Sequence, residues 1–73
     1  MDMTRIGAFL AELRKENDLT QEELGESLGV SNKTVSRWET GTNMPDISLL
    51  LEIAELYGVS IPELIEGERK SEK

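Results

Sequence analysis

The stretch LGVSNKTVSRWETG, residues 28–41, sets Lys33 and Arg37 one helical turn apart on a short polar run. Cations at that spacing share one helix face, where they form either a binding surface or simply a solvated edge. Two other groupings have the makings of chemistry. Glu22 with Glu23, and Glu63 with Glu66, pair carboxylates as acid–base catalysts do, but their places in helix caps and on polar faces read as solvated surface. Trp38 could stack on a ligand, yet its position beside Val35 reads as a core anchor. With no Cys and no His, the chain can build neither a disulfide, nor a zinc site, nor a His-based or Cys-based catalytic arrangement. No enzymatic activity, metal or cofactor is expected.

The elements that position these residues belong to one domain, because 73 residues leave no room for a second. Fifteen acidic residues against eight basic ones give a formal net charge of -7, which predicts good solubility and weak non-specific attraction to phosphate polymers or anionic membranes. A local cationic patch survives that balance, since a remote carboxylate is screened over a Debye length of about 8 to 10 Å. No apolar run approaches the roughly 18 residues of a membrane span, and the N-terminus has no signal-peptide pattern. A soluble protein of the reducing cytoplasm is expected.

Apolar residues recur at helical spacing almost throughout, without sustained strand-like alternation, so the fold class is all-α with five helices. The first spans about Thr4 to Glu16, with Ile6, Phe9, Leu10 and Leu13 on one stripe, and stops at Asn17, a residue that tolerates a left-handed cap. TQEE, residues 20–23, is a capping box that opens helix two, and Gly29 closes it after Leu28. Ser31 caps helix three, on which Val35 and Trp38 turn inward while Lys33, Ser36, Arg37 and Thr40 face out and Asn32 occupies the exposed first turn. Asp46 caps helix four, Ile47 to Tyr57, and SIPE, residues 60–63, boxes a short fifth helix that ends before Gly67. Residues 1–66 form the domain. Residues 67–73 read as a charged tail or as a linker to a further region through which a protein partner would be engaged.

Helices two and three, joined by a short Gly-containing turn, describe a helix-turn-helix, provided they cross closely. Gly25 meets that condition, because a mid-helix Gly costs about 1 kcal/mol against Ala and is best explained by another backbone at close approach. LTQEELGESLGVSNKTVSRWETG, residues 19–41, resembles the helix-turn-helix of the Cro and phage-repressor family, and the similarity runs from residue 10 to residue 60. The resemblance implies sequence-specific binding of double-stranded DNA, with helix three, about residues 32–40, in the major groove. Carried over by position, it implies that Asn32, Lys33 and Arg37 read base edges and that Gln21, Ser31, Thr34 and Asn43 contact phosphates. Those residue types suit the roles, as Arg and Lys pair with guanine, Asn with adenine, and helix-start amides with phosphate. The loop GTNMP lacks the extra Lys or Arg of many relatives. The rival expectation is an antitoxin-like module that binds a partner protein through its acidic surface.

Two further expectations concern packing. Arg14 and Glu39 both lie on the flank of an inward face, where an unpaired charge is costly, so an ion pair is expected between them, and the resemblance supports it. Helix four shows Ile47, Leu50, Leu51, Ala54 and Tyr57 on one face, read as buried, and Leu49, Ile53 and Leu56 as a second, outward stripe. Helix five, with Ile61, Leu64 and Ile65, is too short to cover that stripe, so a homodimer is expected with Leu49, Leu56, Ile61 and Ile65 at the contact.

Overall fold

The computed structural model describes residues 2–70, and its regular elements are α1 (Met3–Glu16), α2 (Gln21–Leu28), α3 (Asn32–Thr40), α4 (Ile47–Tyr57) and α5 (Ile61–Glu66). Each helix begins where a side-chain oxygen takes an orphan amide: Asp2 for α1, Thr20 for α2, Ser31 for α3, Asp46 for α4 and Ser60 for α5. The caps of α2 and α5 are full capping boxes, in which Glu23 and Glu63 return the bond to the cap's own N–H. Helix one starts a residue earlier than its apolar stripe suggests, because Asp2 caps it. Its end also differs from expectation. Asn17 stays at φ -96° while Asp18 takes the left-handed turn at φ 57°. Asn17 caps through its side chain instead, its Nδ2 donating to the Leu13 carbonyl at 2.8 Å, which moves the reversal one residue on.

Ile6, Phe9, Leu10 and Leu13 of α1 meet Leu24, Val35, Trp38, Ile53, Ala54 and Leu64 in a single core. Helix α1 packs against α3 and α5, α2 against α3, and α4 against α5. Two glycines set the closest approaches. A Cβ on Gly25 would stand 2.6 Å from the Val30 carbonyl, which brings the α2–α3 turn tight against α2. A Cβ on Gly7 would stand 2.7 Å from the Glu39 carbonyl and closer still to that of Trp38, so α1 rests directly on the last turn of α3.

The inward face of α4 is rotated relative to the sequence reading: Leu50, Ala54 and Tyr57 turn inward and Leu56 outward as expected, but four neighbours change places. Ile53 is buried, Leu49 and Leu50 pack against the core, and Ile47 and Leu51 lie 65% and 55% exposed. With only Ser48, Glu52 and Glu55 interrupting the apolar residues of this helix, periodicity selects no unique stripe; its packing on α5 does. Ile61 likewise packs on the core, Ile65 is half-buried, and Leu56 stays 46% exposed.

Beyond Gly67 the chain does not leave the domain at once. Glu68 pairs with Arg5, Arg69 with Glu16, and Lys70 with Glu66, so residues 68–70 are tied to α1 and α5. Residues 71–73 of the expected tail lie outside the described residues. These exposed pairs contribute little to stability individually. They do bear on pH dependence. The Arg69 guanidinium holds the Glu16 carboxyl below its ordinary range, the Leu49 N–H does so for Asp46, and the Ser60 N–H for Glu63. A carboxyl lowered in the folded state stabilises the fold above its unfolded pKa, and that contribution is lost as pH falls through the folded value. The melting temperature should therefore be flat near neutrality and decline below about pH 4.5, as calorimetry across pH 3 to 7 would register.

Candidate nucleic-acid interface

Helix α3 is held by one side and offers the other. Val35 and Trp38 are 0% and 3% exposed, whereas Asn32, Lys33 and Arg37 are exposed and make no side-chain hydrogen bond among the described residues. Ser31 and Ser60 cap their helices in the same manner, but Ser31 also meets Thr34, hydroxyl to hydroxyl at 3.1 Å, so these two expected phosphate contacts form one local pair. Thr34 is half-buried. Asn43 is exposed in the α3–α4 loop, with its backbone N–H bonded to the Arg37 carbonyl at 3.3 Å. Ser36, expected to face out with the cations, is half-buried.

Charge is distributed unevenly. Among the described residues Arg5, Arg14, Arg69 and Lys70 are each in an ion pair, and Lys15, Lys33 and Arg37 are not. The one carboxylate of α3, Glu39, is turned inward with its side chain 7% exposed. The outward face of α3 thus carries two cations and no acid, in a chain of net charge -7.

Glu39 is neutralised where it lies. Arg14 Nε donates to its Oε2 at 2.7 Å and Arg14 Nη2 to its Oε1 at 3.1 Å, a two-pronged contact, while Arg14 Nη1 donates to the Leu19 carbonyl at 2.7 Å. The bond to Glu39 raises the Arg14 pKa further, against a smaller opposing effect of burial. Helix α1, the α1–α2 loop and α3 are joined through this one guanidinium.

Two residues beside the Arg14–Glu39 pair have roles that escape a reading of the sequence. Gln21, expected at a phosphate, donates from Nε2 to Glu39 Oε1 at 3.0 Å. Its partner lies 18 positions away, so no local spacing announces it. Tyr57 lies near the same charges. Its buried hydroxyl has no hydrogen-bond partner among the described residues, and burial, aided by the Glu39 charge, pushes its pKa up to about 12. Gly7 is the third omission, and its signal was available, since it interrupts a helix as Gly25 does.

The sequence matches the helix-turn-helix family model HTH_3 over residues 10–64. It is 42% identical over 59 residues to the HTH-type transcriptional activator BcrR of Enterococcus faecalis, covering 81% of this chain and 29% of that protein. It is 39% identical over 56 residues to the cryptic phage CTXphi transcriptional repressor RstR of Vibrio cholerae, covering 77% of this chain and 50% of that one. The chain therefore spans half or less of these two relatives. Among solved structures, the P22 c2 repressor protein in complex with synthetic operator 9T superposes with a TM-score of 0.80 at 30% identity, covering 86% of this chain and 96% of that chain. With the five helices, the tight α2–α3 turn and a family match over most of its length, this chain belongs to the helix-turn-helix family that includes transcriptional regulators.

Proposed function

We propose that this domain binds double-stranded DNA with sequence preference and acts in transcription regulation, with α3 lying in the major groove. The observation that carries the reading is the outward face of α3, where Asn32, Lys33 and Arg37 are exposed and unengaged while the helix's own carboxylate is buried and paired. A cationic face on an acidic domain does not follow from solubility needs, and it suits base edges. Arg37 and Lys33 take guanine O6 and N7, and Asn32 takes adenine. Gln21, Ser31, Thr34 and Asn43 flank that face and serve the phosphates, which fix register without reading sequence.

So few cations give a single domain a small electrostatic share of affinity, and two copies on half-sites one helical turn apart overcome that deficit. The homodimer contact proposed here draws on the exposed apolar residues of α4, chiefly Leu56, and on the half-buried Ile65 of α5. Leu49 and Ile61, half-buried and packed against the core, contribute the smaller part of it.

Selection from a random duplex pool should enrich one motif with two-fold symmetry. Changing Arg37 or Lys33 to Ala should then cost about 1 to 3 kcal/mol on that motif and relax preference at one base pair. No enriched motif at low salt would refute DNA reading by α3 and leave the acidic surface and a protein partner as the better account.

A further inference from the structure

From the 3.0 Å bond between Gln21 and Glu39 we infer that Glu39 is a positioning residue for DNA backbone contact, fixing which end of the Gln21 amide is offered to a phosphate. This rests on the reading of Gln21 as a phosphate contact. An ionised carboxylate only accepts hydrogen bonds, so the Gln21 amide must present its nitrogen to Glu39. The same nitrogen carries a second N–H, and that donor is left for an anion. Without the carboxylate the amide is free to turn over and offer Oε1, an acceptor that a phosphate repels.

The environment makes such positioning matter. The first turn of α2 contains Glu22 and Glu23, whose charges oppose an anion at that helix end, so a fixed neutral donor adds attraction that the local charge does not supply. Glu39 itself adds no repulsion, because Arg14 holds both of its oxygens. Gln21 is half-buried as the first residue of α2, and Glu39 sits in the last turn of α3, so the bond also locks the two helices of the motif in register at the proposed DNA face.

The test is a double-mutant cycle on duplex binding, with the full chain and one fixed salt concentration. Glu39→Gln should weaken binding about tenfold on cognate and non-cognate duplexes alike, leaving sequence preference unchanged, as Gln21→Ala should. In the Gln21→Ala background Glu39→Gln should have no further effect. Glu39→Asp keeps the negative charge beside Arg14 but draws both oxygens back by one methylene, and, in a chain shown to melt cooperatively, should reproduce the uniform loss. In the free protein, the side-chain amide resonances of Gln21 should be slowed in exchange, and released by Glu39→Asp. Equal losses in both backgrounds, or full binding by folded Glu39→Asp, would overturn the positioning role alone. A wild-type chain that binds no duplex while its Gln21 amide stays protected would overturn DNA binding, and the positioning role with it.

Discussion

Replacing Glu39 by Ala should cost about 3 to 5 kcal/mol, because it strands the Arg14 guanidinium, 12% exposed, with the Leu19 carbonyl as its remaining partner. A domain of 73 residues has a total stability of about 4 to 11 kcal/mol, so the variant should be largely unfolded near its melting region and show a much lower urea midpoint. The loss belongs to the unpaired charge more than to the pair. Exchanging both partners for apolar residues of similar volume, Arg14→Met with Glu39→Leu, should therefore recover most of it. A single-variant cost below about 1 kcal/mol would mean that water reaches the pair as it reaches surface ion pairs.

The second large effect is expected at Trp38. Its ring is 3% exposed among the residues of α1 and α3, and truncation to Ala should cost about 3 to 5 kcal/mol through lost burial and the cavity left behind. The consequence for α3 is specific. The Trp38 carbonyl backs onto Gly7, so loss of the ring loosens the helix at its point of closest approach to α1. Denaturant titration followed by circular dichroism would measure the cost, and Trp38→Phe should retain more than half of the stability that Trp38→Ala loses. Equal costs for the two would locate the contribution in the backbone contact instead of the ring.

How much of this was legible depended on how local each determinant is. Helix starts at Thr20, Ser31, Asp46 and Ser60 were readable because a cap and the amide it takes lie within three residues. The inward side of α3 was readable because only Val35 and Trp38 break a polar run. The inward side of α4 was only partly so, since its composition permits several stripes and tertiary packing, chiefly on α5, selects one. Asp18 was missed for a different reason, a competition between two adjacent residues either of which can end a helix. The Gln21 bond is not local either. Its existence depends on the α2–α3 crossing, which Gly25 permits but no spacing specifies.

The exposed side chains of α3 have a consequence for how the domain can change. Asn32, Lys33 and Arg37 touch neither the core nor the Arg14 network, so exchanging them should alter stability by less than about 0.5 kcal/mol. Recognition and folding are thus written in separate residues of one nine-residue helix. A library randomised at those three positions would remain folded almost throughout, so target preference can drift, or be redirected by design, in single steps that never pass through a broken scaffold.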